Sequence, residues 1–212
     1  MSFDIAEDEN DSENDFDLSI KLIVLGESGV GKTNIINRYC GLTFQEDSKT
    51  TSASSYMEKK LRVEDKVVNL NLWDTAGQEK FHSVTKIFMK NSHICVLVYA
   101  INNKNSFSKL PFWLQTAKEQ CGENVLFALA ANKSDLYYKE EIPEEEGREF
   151  ARKNQMKFGL ISAKEFDSSE IENFINGLVK EYVKKSGYVD NENVNKTLRV
   201  RESKNKKKKR CC

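Results

Sequence analysis

No run of apolar residues in this chain approaches the ~20 that a bilayer-spanning helix needs. The amino terminus also lacks the basic and apolar leader of a secreted protein. The expectation is a chain that stays in the cytosol. No internal repeat is present. Nor is there an excess of either charge: 33 Lys and Arg balance 33 Asp and Glu. A neutral globular surface argues against a nucleic-acid-binding domain, which would present a basic face. Of the five cysteines, Cys40, Cys95 and Cys121 stand singly in apolar or helical patterns. In a reducing compartment these read as small buried hydrophobes, not as disulfide or metal ligands.

What charge there is sits at the ends. Residues 1–17 carry eight Asp and Glu and no Lys or Arg, and residues 184–210 carry eleven Lys and Arg against three acids. The first stretch reads as a disordered acidic arm. From residue 187 onward the composition is polar and charged and reads as a flexible tail. At 212 residues one domain is the default. The expected organisation is therefore an arm (1–17), a single domain (18–184) and a basic tail (185–212).

Inside the domain, strand and helix patterns alternate. Apolar runs at 20–25, 67–73, 94–99, 125–130 and 158–161 read as strands. The weaker alternating stretch 56–63 is separated from 67–73 by a polar turn and pairs with it as a hairpin. Helical patterns occupy 33–39, 105–120, 144–154 and 168–184, with Pro111 either kinking the second or starting it afresh. The implied fold is α/β: a six-stranded, mostly parallel sheet with one antiparallel strand and helices on both faces. A ligand belongs at the carboxyl ends of the strands.

Four strings fall at those ends. GESGVGKT at 26–33 is a complete P-loop between a strand and a helix, the context such a motif requires. Its glycines let the backbone of Glu27, Ser28, Gly29, Val30 and Gly31 curl so that N–H groups face a phosphate. The helix entered through Lys32, Thr33 and Asn34 adds its positive end. Lys32 is expected on the outer phosphates and the Thr33 hydroxyl on Mg²⁺. A P-loop alone leaves kinase, ATPase and GTPase open.

DTAGQ at 74–78 ends an apolar strand, LNLWD, in an acid placed to hold Mg²⁺ through its hydration shell, and Gly77 lets a backbone N–H approach the γ-phosphate. NKSD at 132–135 and SAK at 162–164 follow the next two strands. The Asp135 carboxylate can accept hydrogen bonds from guanine N1–H and N2–H₂. Adenine has no such donor pair, so ATP would leave a desolvated, unpaired acid.

Together these strings resemble those of the Rab-type small GTPases of the Ras superfamily, over residues 18–183. VNLNLWDTAGQEKF at 68–81, LVYAIN at 97–102 and TTSASSYMEKKL at 50–61 are similar to the endosomal branch in particular. The resemblance implies that Gln78 orients the attacking water beside Lys32 and Gly77. It places Asn132, Ser162 and the Ala163 N–H at the guanine edge, with the Lys133 and Lys164 stems packed along base and ribose. Phe44 is set against guanine, and seven residues later Thr51 on Mg²⁺, a role for which adjacent Thr50 competes and the Phe44 spacing favours Thr51. It also assigns Tyr56, Trp73 and Phe88 to an effector-facing aromatic triad. Switch I departs from the family at Ser52 and Ala53, where Ile and Gly are usual. Ala100 and Ala131 replace Asp and Gly, and Lys80 replaces Arg. None of these removes a direct ligand of nucleotide or Mg²⁺.

The chain ends KNKKKKRCC, not C-a-a-X. In Rabs a terminal pair such as Cys211 and Cys212 receives two geranylgeranyl groups with the help of an escort protein. Two lipids anchor where one holds only marginally, and residues 204–210 add attraction to anionic cytosolic leaflets. The expected function is a GTP/GDP switch with Mg²⁺ as cofactor on the cytoplasmic side of endosomal membranes. It would be served by an exchange factor, an activating protein, a GDP-dissociation inhibitor and effectors. No arginine finger is evident in the motifs, so fast hydrolysis would need the activating protein. Two alternatives stand beside this one: a nucleotide-locked effector scaffold that hardly turns over, suggested by the irregular residues 51–56, and a P-loop ATPase or kinase, which Asp135 opposes.

Overall fold

A computed structural model describes residues 16–46, 55–75, 82–122, 124–165 and 167–187. Thr51, Gly77, Gln78, Cys211 and Cys212 lie outside the described residues, as do 1–15 of the acidic arm and 188–212 of the tail.

In chain order the elements are β1 (Leu18–Leu25), α1 (Lys32–Tyr39), β2 (Ser55–Val63), β3 (Lys66–Asp74), α2 (His82–Met89), β4 (Ile94–Ala100) and α3 (Lys104–Ser108). They are followed by α4 (Leu110–Gln120), β5 (Leu126–Asn132), a 3₁₀ helix (Ser134–Lys139), α5 (Glu144–Lys153), β6 (Lys157–Leu160) and α6 (Ser169–Lys185). The six strands form one sheet in the order β2-β3-β1-β4-β5-β6. Only β2 with β3 is antiparallel; β3–β1, β1–β4, β4–β5 and β5–β6 are parallel. This is the mixed sheet expected from the alternation of patterns. Asp17, at the end of the acidic stretch, is tied to Val67 through its backbone N–H and its carboxylate.

The two-residue side-chain period of a strand divides the core in two. On β1, Ile20, Leu22 and Val24 face a layer built with Ile35, Ile36 and Tyr39 of α1 and Ile171, Ile175, Leu178 and Val179 of α6. Ile23 and Leu25 face the opposite layer, with Met89 of α2, Leu110, Trp113 and Leu114 of α4 and Ala151 of α5. Each such side chain, fully buried, contributes about 1.5–3 kcal/mol. A sheet covered on both faces exposes its strand ends, and that is where the four motifs lie. β4 is buried at every position, as a central parallel strand should be.

Pro111 starts a helix afresh. α3 stops at Ser108 and α4 opens with Pro in its first turn, where its missing N–H has no intrahelical partner to lose. Asn103 caps α3 by accepting from the Ser106 N–H. Two elements are additional to the sequence reading: α2 and the 3₁₀ helix. The latter buries no residue, so no apolar period marks it. Cys95 and Cys121 are buried and Cys40 half-buried, all three as free thiols.

Candidate nucleotide and metal site

The P-loop is a turn that only glycine permits. Gly26 and Gly31 have φ of +145° and +96°. A Cβ at Gly26 would run into the Val98 carbonyl, and one at Gly31 into the Asn132 side-chain amide. The loop is therefore pressed against the end of β4 and against the NKSD segment.

Lys32 begins α1 and turns back under this loop. Its Nζ donates to the carbonyl oxygens of Gly26 and Glu27, each at 2.9 Å, and it is 6% exposed. Burial pushes its pKa down to about 8, against the opposing pull of the Asp74 and Glu27 carboxylates. The amine is thus already centred beneath the loop, in surroundings that favour an added anion.

Thr33 and Asp74 meet as the sequence reading requires. Thr33 Oγ1 donates to Asp74 Oδ2 at 2.6 Å, although 41 residues separate them. The sheet register explains this, since Asp74 on β3 pairs with Val24 on β1, just before the P-loop. Asp74 is 2% exposed, and among the described residues its Oδ1 has no hydrogen-bond partner. Burial raises its pKa, while the Thr33 hydroxyl, the Lys32 charge and the Thr75 backbone pull it back. A buried carboxylate with one unmet oxygen beside a hydroxyl is an oxygen donor set suited to a hard divalent cation. These residues therefore fit Mg²⁺. Thr75 locks the strand end by donating to the Val24 carbonyl at 2.7 Å.

At the base-side end, Asp135 Oδ1 accepts from Ser162 Oγ at 2.6 Å. Ser162 Oγ in turn accepts from the N–H groups of Lys164 and Glu165. One hydroxyl thereby orients both the acid and the SAK turn. Lys133 sits in left-handed backbone (φ +66°) at the entry to the 3₁₀ helix, and burial lowers its pKa. Lys164 Nζ pairs with Glu46 at 3.0 Å across the same opening.

Several expected ligands also brace the loops around them. Asn132, 1% exposed, donates to the Val30 carbonyl at 2.7 Å and accepts from the Ala163 N–H at 3.2 Å. It pins P-loop, NKSD and SAK together, and it engages the N–H that the resemblance assigns to guanine. Asn34 exchanges two bonds with the Gln45 backbone, fastening the segment that carries half-buried Phe44. The Glu27 carboxylate turns away to accept from Trp113 Nε1 at 2.9 Å. That contact spans 86 positions and has no signal in the sequence.

On the neighbouring face, Tyr56 and Trp73 are cross-strand partners with ring centroids 5.1 Å apart, and Trp73 lies 5.3 Å from Phe88. Tyr56 remains 45% exposed and Ile87 beside Phe88 is 66% exposed. The three rings thus form one continuous cluster that opens to solvent at Tyr56.

The comparisons agree with this geometry. The model of the Ras family matches residues 21–184. The chain is 37% identical over 164 residues to the Ras-related protein Rab-11B of Dictyostelium discoideum, covering 77% of this chain and 74% of that protein. It is 32% identical over 161 residues to the Ras-related protein RABA1e of Arabidopsis thaliana, covering 76% and 73%. A third relative, the Ras-related protein RIC2 of Oryza sativa subsp. japonica, is 33% identical over 162 residues, covering 76% and 74%. Matched family, mixed sheet, P-loop and strand-end acids lead to one conclusion: this chain belongs to the Ras family, as a Rab11-like small GTPase that binds GTP and hydrolyses it to GDP.

Proposed function

We propose that the protein is a membrane-anchored switch on the cytoplasmic side of endosomal membranes, recruiting effectors in its GTP state during vesicle traffic. The observation that carries the switch chemistry is the Thr33–Asp74 contact at 2.6 Å, within the electrostatic reach of the buried Lys32 amine. Thr33 Oγ1, Asp74 through water, and Thr51 would hold Mg²⁺, which when bound neutralises charge on the outer phosphates.

The chain's own residues do the rest. Lys32 carries its positive charge to the phosphates. The P-loop N–H groups and the α1 amino terminus bind their oxygens. Asp135 selects guanine, with Asn132 and Ser162 holding its surroundings in register. Gly77 brings an N–H toward the γ-phosphate, and Gln78 orients the attacking water. The segments that carry Thr51 and Gly77 would be ordered by the γ-phosphate and released after hydrolysis. The Tyr56–Trp73–Phe88 cluster, open to solvent at Tyr56 and flanked by exposed Ile87, supplies the apolar anchor for an effector. An exchange factor, an activating protein, a GDP-dissociation inhibitor and an escort protein complete the cycle.

Gln78→Leu is expected to slow single-turnover GTP hydrolysis, basal and activated, while GTP affinity stays nearly unchanged. The substitution removes water positioning and leaves ground-state contacts in place. Wild-type rates in both assays would remove Gln78 from the mechanism and favour a scaffold that depends little on turnover.

The anchor is tested at the other end of the chain. Mass spectrometry of the mature carboxyl terminus should find two geranylgeranyl groups on Cys211 and Cys212. Deleting both cysteines should move the protein to the cytosol with nucleotide binding intact. At about 0.8 kcal/mol per buried CH₂, two such chains outweigh what the basic run 204–210 adds. Membrane binding that persists without the cysteines would refute the anchor.

A further inference from the structure

At the end of the sheet away from the P-loop, the second residue of β4 and the residue that closes α4 are both cysteines. Cys95 is fully buried and pairs through its backbone with Ile23 and Phe127. Cys121 follows the last turn of α4, its N–H donating to the Ala117 carbonyl at 2.8 Å. Both side chains enter the same core layer as free thiols within hydrogen-bonding reach of each other. Each stands alone in the chain; the return of α4 along β4 brings them together.

Two neighbours set the pair apart from ordinary core cysteines. Ser92, 4% exposed, has no nitrogen or oxygen partner for its hydroxyl among the described residues, and it lies within reach of the Cys121 sulfur. The Lys21 ammonium also acts on that sulfur; it donates to the Lys90 carbonyl at 2.8 Å and lies 4.9 Å from the centre of the Trp73 ring. The Cys95 thiol, with Lys21 and Ser92, holds the Cys121 thiol below its ordinary value against the opposing effect of burial. Lys21 thereby offsets the electronegative carboxyl end of α4, which disfavours a thiolate. Burial and the Cys121 contact push the Cys95 thiol well up. Cys121 is therefore the better nucleophile and Cys95 its proton-bearing partner. Beside Cys121, nothing lies within 4 Å of a Cβ at Gly122, which leaves a small molecule room to approach. Cys40 is more exposed than either, yet burial pushes its thiol up.

We infer that Cys95 and Cys121 form a peroxide-responsive pair, oxidised by hydrogen peroxide or an organic hydroperoxide to a reversible disulfide between β4 and α4. The Cys121 thiolate attacks one peroxide oxygen. The O–O bond breaks, and the departing oxygen leaves as water or alcohol with the proton the thiol gave up. Cys121 is then a sulfenic acid. Cys95 Sγ attacks that sulfur: the S–S bond forms, the S–O bond breaks, and hydroxide leaves as water with the Cys95 proton. The two thiols lose two electrons and the peroxide gains them. In a reducing compartment such a bond is transient and serves sensing. It would fasten the end of α4 to the sheet in the layer on which Trp73 and Phe88 pack. This inference does not depend on the membrane reading above.

The test treats the unprenylated full chain, loaded with GDP, with hydrogen peroxide, then alkylates free thiols and maps the peptides by mass spectrometry. The expected product is a Cys95–Cys121 linked peptide that dithiothreitol removes, formed about tenfold faster than any oxidation at Cys40. The oxidised protein should unfold at a higher temperature than the reduced one. In Cys95→Ser, dimedone should trap Cys121 as the sulfenic acid; in Cys121→Ser, neither product should form. Lys21→Gln, which keeps both thiols, should slow formation of the bond without changing its partners. GDP content, followed throughout, reports that each protein stays folded. Oxidation of Cys40 ahead of Cys121 would overturn the proposal, since exposure alone would then explain the reaction. So would a link that appears only after GDP is lost, or a wild-type rate in Lys21→Gln. Cys121 joined to Cys211 or Cys212 in place of Cys95 would assign the chemistry to the tail and refute the pair.

Discussion

Asp135→Asn is expected to lower affinity for GTP and GDP by roughly 10⁴- to 10⁵-fold, the scale on which an unmatched polar group in a built site rejects a ligand. It should at the same time raise affinity for xanthine nucleotides. The Asp135 carboxylate is held by the Ser162 hydroxyl at 2.6 Å, and that hydroxyl is itself fixed by the Lys164 and Glu165 N–H groups. A carboxylate so oriented can accept from both guanine N1–H and the guanine amino group. An amide in its place sets a donor against that amino group, whereas xanthine offers a carbonyl there. Displacement of a fluorescent GDP by GTP, xanthosine triphosphate and ATP measures the change. Ser162→Ala is the informative partner: it should weaken all guanine nucleotides and keep their order, because it loosens the acid without replacing it. A wild-type protein with equal ATP and GTP affinity would sink the assignment of Asp135.

Gly31→Ala is expected to abolish measurable nucleotide binding, and Gly29→Ala to weaken it only modestly. Both glycines have positive φ, +96° and +77°, so each substitution incurs about 1–2 kcal/mol of backbone strain. They differ in what a methyl group would meet. Nothing lies within 4 Å of a Cβ at position 29. At position 31 the methyl would strike the Asn132 amide, which cannot move without releasing the Val30 carbonyl and the Ala163 N–H together. The expected loss at Gly31 is therefore that of the whole junction between P-loop, NKSD and SAK. Thermal unfolding and fluorescent-GDP titration of the two variants side by side test this. Equal GDP affinity for Gly31→Ala and Gly29→Ala would show that Asn132 is not the brace described.

Strand and helix order was legible because it is local. Alternating burial on β1 and the 3.6-residue period of α1 and α6 are written in consecutive residues, and so is the chemistry of GESGVGKT, DTAGQ, NKSD and SAK. Strand ends could be assigned to within a residue or two for the same reason, as an apolar run stops where an acid or amide must reach the ligand. The short helix α2 was missed because His82–Met89, though as long as α1, follows no P-loop glycines that would mark a helix start. The 3₁₀ helix was missed because nothing in it is buried.

The amino-acid sequence by itself determined the motifs' chemical groups, their order along the chain, the mixed α/β sheet and the acid–base asymmetry of the two ends. Tertiary structure alone decided what each group touches. It placed the Thr33 hydroxyl on Asp74, turned Glu27 to Trp113, and made Asn132 and Asn34 braces. The physical reason is range. Backbone period and side-chain type act over a few residues, whereas a hydrogen bond across 41, 86 or 102 positions exists only after strand register has brought its two ends together.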